Sequence, residues 1–239
     1  MEEKVKLANR KGFEPQLPVQ FDSNFSVAKA HAMQRCLAKQ VIREDRVPEK
    51  IRFVAGVDVA YVGEISVGVA AAIDYDSLVL MESQVAHVKT QFPYIPTLLS
   101  FREISPTLSA IEKLETKPDV VLVDGQGIAH PYRLGFASHL GLMIDKPTIG
   151  VAKSILCGEV ENMNDKEWAP LIDRGEIVGA AVVTKAGRKP MYVSIGHKVS
   201  LERAVEIVKH CIRNHRIPEP ILTAHKIANY EKGKYRKSR

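Results

Sequence analysis

A change in the pattern of secondary structure along the chain constrains the fold most. Three stretches rich in Val, Ile and Ala follow one another with links of only a few residues, which predicts an antiparallel meander. Beyond them, helical patterns alternate with short apolar stretches, which is typical of parallel strands joined by crossovers. The meander is predicted at 51–60, 65–75 and 78–89, the later strands at 119–123 and 148–151, and the helices near 98–115 and 133–143.

The remaining segments complete a mixed sheet with helices around it. An amphipathic helix within residues 24–43 precedes the meander, and strands at 177–185 and 190–195 precede a helix that begins at Ser200. We therefore predict an α/β fold in which a three-strand antiparallel meander joins parallel strands, compatible with an RNase H-like fold. No internal repeat or linker is apparent, so we expect residues 1–239 to form a single domain.

Composition excludes several classes of protein. The chain has 239 residues, of which 45% are hydrophobic and 26% charged, a balance that argues for a packed core and against disorder. The longest apolar runs, near 67–73 and 177–183, are too short to span a bilayer, and the charged N-terminus does not resemble a signal peptide. We expect a cytoplasmic protein with no membrane partner, whose widely spaced cysteines are reduced packing residues.

The positive charge is concentrated at one end of the chain. The net charge is +6, and residues 226–239 hold six Lys and Arg against one Glu, which accounts for +5 of it. A mobile basic tail on a nearly neutral body is a common contact for phosphate backbones. A tail that only improves solubility is the alternative, and composition does not decide between the two.

Two aspartates follow apolar residues in predicted strands and are candidate metal ligands. Asp58 interrupts an apolar strand, where an ionised carboxylate is costly unless a cation or hydrogen bonds compensate it. Asp124 ends the apolar run that begins at Val120, at the edge of the sheet where α/β proteins bind ligands. If the two strands pair, both carboxylates converge, and without a Cys or His cluster they favour Mg²⁺ or Mn²⁺ over zinc.

A glycine-rich turn follows Asp124. Residues 125–130 imitate a dinucleotide-binding fingerprint, but His130 stands where the third glycine belongs. Residues 150–154 imitate the end of a phosphate loop, but Ala152 replaces the glycine before Lys153. Neither nucleotide-cofactor interpretation holds. What remains are loop glycines such as Gly127 that allow close approach of a ligand, and a cation at Lys153.

Other candidate residues lie on a stiff loop and on two helices. Two prolines bracket Tyr94 and Ile95, and apolar side chains on such stiff loops can unstack a base step, although an aromatic that only covers the core is the simpler interpretation. Glu103 follows within a helix and can point back towards the same site. His225, at the start of the last helical stretch, is a candidate ligand, base or plain surface histidine.

Taken together, these segments resemble the Endonuclease V family. The matching segments occur in family order: GVDVAY (56–61), PYIP with LSFRE (93–103), VDGQGIAHP (123–131), LGFASHLG (134–141), IGVAKS (149–154), SIGHKVSL (194–201) and AHKIAN (224–229). Each segment is a weak signal, but the ordered set is specific.

The resemblance implies an RNase H-like fold and a DNA repair enzyme. It implies Mg²⁺-dependent hydrolysis, with Mn²⁺ as a substitute, of the second phosphodiester bond 3′ to deoxyinosine. The implied metal carboxylates are Asp58, Asp124 and Glu103, with Lys153 near the scissile phosphate and His225 near the metal. The implied nucleic-acid contacts are Pro93, Tyr94, Ile95 and Pro96 as a wedge, Gly127 and His130 at the base pocket, and Lys153. We expect a monomer whose partner is DNA with deaminated bases.

One departure from the family pattern concerns the pocket. PYIP is generally followed by Gly in the family, whereas Thr97 stands there in this sequence. A β-branched residue restricts the backbone, so base selectivity is in question while the metal chemistry is not. Two rival functions remain: a ribonuclease of the same fold that cuts inosine-containing RNA, and a non-catalytic nucleic-acid-binding module, against which the three matching acidic residues count.

Overall fold

A mixed sheet of nine strands forms the centre of the molecule in the computed structural model, which describes residues 26–163, 167–185 and 187–237. The strands are β1 (Phe53–Val62), β2 (Ile65–Asp74), β3 (Leu80–Lys89), β4 (Val120–Asp124), β5 (Thr148–Ala152), β6 (Glu159–Val160), β7 (Trp168–Asp173), β8 (Glu176–Val182) and β9 (Met191–His197). The helices are α1 (Val27–Ala38), α2 (Leu99–Glu112), α3 (Phe136–Ile144), α4 (Leu201–His210) and α5 (Glu219–Lys237).

The strand order is β3-β2-β1-β4-β5-β9-β8-β7-β6. Strands β1 to β3 pair antiparallel as the predicted meander, and β1, β4 and β5 are parallel neighbours. The second half of the sheet is antiparallel throughout. The predicted fold class, a meander joined to parallel strands and flanked by helices, is therefore confirmed.

Helices cover both faces of the sheet, which explains the nearly continuous apolar runs of the central strands. Along β4, Val121 and Val123 pack with residues of α2 and α3, whereas Val120 and Leu122 pack with residues of α4 and α5. Successive side chains of a strand point to opposite faces, so each run supplies two cores at once. Asp124 continues the alternation on the side of α4 and α5.

The ends of several elements differ from the sequence-based expectation. The first helix is shorter than residues 24–43, and the part of that range before residue 26 lies outside the described residues. Strands β6 and β7 were not predicted, because β6 has only two residues and β7 contains Pro170, which argues against a strand. The helix predicted at Ser200 begins there, and the Ser200 side chain accepts a hydrogen bond from the Arg203 backbone N–H (3.2 Å).

The basic C-terminal segment is helical up to residue 237, so the expectation of a mobile tail is corrected. Residues 226–237 continue α5, and residues 238–239 lie outside the described part of the chain. The reason is packing: Ile227 and Ala228 belong to a core cluster with the meander residues Val67 and Val69. Within the described residues, no helix is long and apolar enough to cross a membrane.

Candidate metal and nucleic-acid site

Strand pairing brings the two predicted aspartates to the same level of the sheet. Strands β1 and β4 run parallel with Val57 opposite Val123, so that Asp58 and Asp124 are the next residues on each strand. Both side chains are largely buried, with 16% of each exposed. Burial, followed by the charge of Asp124, raises the pKa of Asp58 above its ordinary value. Two carboxylates held this way favour binding of a cation.

Helix α5 adds His225 to this pair. Its Nδ1 lies 2.7 Å from Asp58 Oδ2, and the Asn229 side-chain nitrogen lies 3.0 Å from its Nε2. Asn229 also donates to the His225 backbone carbonyl one helical turn earlier (3.0 Å). The imidazole is therefore held from both sides, with Asp58 at one nitrogen and Asn229 at the other.

The absence of a side chain at Gly56 allows helix α5 to pack this closely against β1. A Cβ atom at Gly56 would lie 2.0 Å from the carbonyl carbon of Pro220, in the first turn of α5. Any larger residue at position 56 would push the helix away from the strand. The glycine two residues before Asp58 thus contributes to the contact between His225 and Asp58.

The three side chains fit the requirements of a divalent cation. One ligand atom from each of Asp58, Asp124 and His225 can be chosen so that all three lie within 4.8 Å of one another. Two carboxylate oxygens and one imidazole nitrogen are donors that Mg²⁺, Mn²⁺ and related ions accept. Among the described residues, these three side chains form the one group of three or more potential metal ligands.

Lys153 joins the same site from the neighbouring strand. It directly follows β5, and its Nζ donates to Asp124 Oδ2 at 2.5 Å. Its side chain is 41% exposed, so the ammonium remains accessible to an incoming anion. The sequence predicts the cation Lys153 at this strand end, and the structure identifies Asp124 as its carboxylate partner.

Glu103 approaches from the other face of the sheet. It lies in α2, is only 8% exposed and accepts a hydrogen bond from the Tyr61 hydroxyl (3.0 Å). Burial raises its pKa to about 8, and the charges of Asp58 and Asp124 contribute in the same direction. Glu103 is near both aspartates but is not part of the cluster of three ligands, so its role as a metal ligand stays a prediction.

Two residues of the site were not singled out from the sequence. Tyr61 holds Glu103, and Arg102 lies over the Tyr61 ring at 4.2 Å from its centroid. Asn229 holds His225. Tyr61 and Asn229 are the last residues of the family-like segments GVDVAY and AHKIAN. The i, i+4 spacing of His225 and Asn229 on a helix is a signal that the sequence contains.

The proline-bracketed segment lies beside the glycine-rich turn. Tyr94 is 66% exposed, and it lines a cavity of about 210 Å³ together with Thr97, Gly125, His130 and residues beyond β5. His130 is buried, and burial lowers its pKa to about 4, so that the ring is neutral at neutral pH. This arrangement brings Tyr94 and His130 to one cavity.

Gly127 has a different environment from its neighbours. A Cβ atom there would lie 2.0 Å from the Ile195 carbonyl oxygen, and its N–H donates to Ser194 Oγ (2.8 Å). The glycine is therefore required for packing of the turn against β9. Its contact with nucleic acid, like those of Pro93, Ile95 and Pro96, stays a prediction.

Comparisons with known proteins agree with this geometry. The sequence profile of the Endonuclease V family matches residues 35–226. The Endonuclease V proteins of Trichormus variabilis and Thermofilum pendens are 48% and 46% identical over 208 and 212 residues, which cover 85% and 88% of this chain and 94% and 91% of theirs. The crystal structure of the Streptomyces avermitilis Endonuclease V is similar with a TM-score of 0.83 and 35% identity, over 88% of this chain and 94% of the other.

A second structure includes a nucleic acid. Ciona intestinalis Endonuclease V, in complex with a 24-mer DNA containing an inosine followed by a ribo-adenosine, is similar with a TM-score of 0.81 and 33% identity, over 87% of this chain and 98% of that one. The mixed sheet, with its acidic cluster on β1 and β4, and these relatives therefore define a nuclease. The chain belongs to the Endonuclease V family.

Proposed function

We propose that the protein is a DNA repair endonuclease that hydrolyses the second phosphodiester bond 3′ to deoxyinosine. The observation that carries this proposal is the convergence of Asp58, Asp124 and His225, whose ligand atoms lie within 4.8 Å of one another. A cluster of this kind suits the charge-rich transition state of phosphodiester hydrolysis. The inosine-containing DNA bound by the Ciona relative supports the choice of substrate.

Mg²⁺, with Mn²⁺ as a substitute, is the cation that we propose for this cluster. Asp58 and Asp124 are the carboxylate ligands, and His225 completes the set. When bound, such an ion lowers the pKa of a coordinated water and offsets negative charge on the phosphate. Oxygen donors dominate the site, and the described residues add no thiolate ligand to it, which supports a hard cation over zinc.

Lys153 is proposed to contact the scissile phosphate. In the free protein its ammonium neutralises Asp124, at 2.5 Å. An anionic substrate at the same strand end offers the partly exposed ammonium a second partner. Its charge then opposes the negative charge that develops on the phosphorus oxygens.

Glu103 is proposed as the third acidic residue of the reaction. Its raised pKa means that it retains its proton near neutrality in the absence of a cation. A positive charge placed beside the two aspartates favours its ionised form, and the carboxylate is then available to accept a proton or bind the ion. Tyr61 keeps the side chain oriented in either state.

The cavity beside Tyr94 is proposed to receive the extruded base. Its volume of about 210 Å³ is below the roughly 300 Å³ at which pockets for drug-sized ligands begin, so it suits a single base. Tyr94, exposed on a loop that two prolines stiffen, would fill the gap left in the duplex. His130, at the same cavity, belongs to its wall.

An assay of parallel substrates tests the proposal. Single-inosine DNA and RNA oligonucleotides are incubated with the wild-type protein and Mg²⁺, and the cut position is mapped. We expect cleavage at the second bond 3′ to inosine in DNA. Asp58→Asn and Asp124→Asn should each lose at least about a hundredfold in rate while the fold is retained, because a metal carboxylate is removed.

Asp76→Asn is the matched control, since Asp76 is exposed in the β2–β3 turn at the far end of the meander. Its rate should equal that of the wild type. Undiminished Mg²⁺-dependent nicking by either site variant would reject the assignment of the metal centre.

A ribonuclease acting on inosine-containing RNA is the second candidate. The ribo-adenosine that follows the inosine in the Ciona complex is the specific observation that favours it. The 2′-hydroxyl distinguishes an RNA substrate from a DNA substrate. Faster cleavage of the inosine-containing RNA than of the DNA oligonucleotide would make the ribonuclease the preferred proposal.

The place of action and the oligomeric state belong to the same proposal. We propose a monomer that acts in the cytoplasm. The cysteines Cys36, Cys157 and Cys211 are all free, which supports a reducing compartment.

A further inference from the structure

The backbone of Thr97 adopts a conformation that β-branched residues avoid. Its φ angle is 72°, in the left-handed region that glycine enters readily and threonine does not. The residue follows the PYIP segment and lines the cavity beside Tyr94. A conformation of this kind persists only where the surroundings hold it in place.

Three hydrogen-bonding side chains hold Thr97. Its carbonyl oxygen accepts from Gln34 Nε2 (2.8 Å) and lies 3.0 Å from His130 Nε2, while its hydroxyl lies 3.0 Å from His31 Nε2. The Tyr132 N–H donates to His130 Nδ1 (3.2 Å), which leaves the proton of the neutral ring on Nε2, facing the Thr97 carbonyl. The backbone and the side chain of Thr97 are therefore both fixed.

Two of these side chains belong to helix α1, which also holds the opposite wall of the cavity. Gln34 is fully buried and donates to the Leu134 carbonyl oxygen (3.2 Å), next to α3. The His31 ring stacks on Tyr132 with 4.1 Å between centroids. Helix α1 thus connects the loop before α2 with the loop before α3.

These two residues of α1 precede both the stretch that the family profile matches and the family-like segments. The family profile begins at residue 35, and the first of the family-like segments begins at residue 56. Nothing in the metal chemistry requires His31 or Gln34. Their contacts are directed to the one pocket residue at which this sequence departs from the expected glycine.

We propose that His31 and Gln34 are positioning residues that clamp Thr97 in its left-handed conformation and thereby set the base selectivity of the cavity. This inference rests on the proposed function in one respect, that the cavity receives the inosine base. The clamp replaces the conformational freedom of glycine with hydrogen bonds from α1. Loss of the clamp lets the Tyr94 segment move and widens the range of bases that the cavity accepts.

The first experiment needs no substrate. Amide hydrogen exchange is measured in the free protein at Leu98 and Phe101, whose N–H groups donate to the carbonyls of Ile95 and Leu98 at 2.9 and 3.1 Å. His31→Ala should accelerate exchange at both by about fivefold, the effect expected when one hydrogen bond no longer opposes local opening. Met33→Ala is the matched control, since Met33 is exposed on the same helix. Equal exchange in all three proteins would overturn the clamp.

The second experiment measures selectivity, as the ratio of kcat/KM for inosine to that for adenine at the same position of one DNA strand. His31→Ala should lower this ratio by about fivefold, mainly through a lower KM for the adenine strand, because the loosened cavity accepts more bases. In a Thr97→Val background, which keeps the β-branch and removes the hydroxyl, the same substitution should change the ratio less than twofold. Equal losses in both backgrounds would overturn the coupling of His31 to Thr97.

A third variant separates the clamp from a general effect on folding. Thr97→Gly removes the strain, so a His31→Ala/Thr97→Gly protein should recover the exchange protection that His31→Ala loses. Failure of this recovery would contradict the proposal. If the wild-type protein cuts no inosine strand, the proposed function is rejected, and the exchange experiment still decides whether α1 clamps Thr97.

Discussion

His225 Nδ1 lies 2.7 Å from Asp58 Oδ2, although 167 residues separate the two along the chain. This contact connects the last helix to the first strand of the sheet. Because the candidate metal-ligand cluster includes both residues, its geometry depends on how closely α5 packs on β1. The close approach at Gly56 is what allows that packing.

Gly56→Ala should therefore damage both stability and cation binding. The added Cβ meets the backbone of Pro220, which cannot move aside as a flexible side chain can. We expect a loss of about 1–3 kcal/mol in the free energy of unfolding, as for overpacked cores, and weaker Mn²⁺ binding because His225 moves from Asp58. Urea unfolding and Mn²⁺ titration measure the two effects. Gly233→Ala, where a Cβ meets nothing within 4 Å, should stabilise α5 slightly, and equal behaviour of the two variants would contradict the packing argument.

The buried carboxyl of Glu103 should make the cation-free protein less stable at high pH. Burial raises its pKa to about 8 from an ordinary value of 4.5, so the folded state retains a proton that the unfolded chain releases. This stabilising contribution is complete below pH 4.5 and is lost as the pH rises through about 8. With EDTA present, Tm of Glu103→Gln should fall less between pH 5 and pH 9 than Tm of the wild type. Glu112→Gln, exposed on the same helix, should follow the wild type, and parallel curves for all three would refute the assignment.

Tyr94 should contribute to binding of damaged DNA in particular. Tyr94→Ala removes the aromatic side chain proposed to fill the gap in the duplex, so affinity for an inosine-containing duplex should fall about tenfold, and far more than affinity for an undamaged duplex. Fluorescence anisotropy with the two duplexes measures this difference. Tyr230→Ala is the control because Tyr230 is 63% exposed, close to the 66% of Tyr94, but lies on α5. Equal losses on both duplexes would instead mean that Tyr94 contacts DNA without distinguishing the damaged base.

The positive charge of α5 should appear in the salt dependence of DNA binding. Deletion of residues 226–239 would remove Ile227 and Ala228 from the core, so charge substitution is the cleaner experiment. Lys226→Gln/Lys232→Gln should lower the slope of log K against log[salt] by about 0.9 for each phosphate that the protein no longer neutralises, and leave cleavage specificity unchanged. Lys39→Gln/Lys50→Gln removes the same charge elsewhere and should leave the slope unaltered. A slope that neither pair changes would mean that this charge serves solubility.

The central strands and their carboxylates could be predicted from the sequence because the signal is local. Nearly continuous apolar runs define β1 and β4, and an aspartate that interrupts or ends such a run is visible without a structure. Strands β6 and β7 could not be predicted in the same way, because β6 is a two-residue edge strand and Pro170 interrupts the apolar pattern of β7. The packing of the basic segment against the meander could not be predicted either, because its few apolar residues give no local signal of their partner.

The sequence by itself determined the mixed sheet, the acidic residues and the family-like segments, since periodicity, residue chemistry and the order of motifs are all properties of the chain. Only the tertiary structure decided which side chains meet across the fold: His225 at Asp58, Tyr61 at Glu103, Lys153 at Asp124, and Gln34 of α1 at Thr97. The physical reason is that hydrogen bonds act over about 3 Å, whereas most of these partners lie tens of residues or more apart in sequence. Their distances are set by strand register and by the close approach of helices, which no local pattern records.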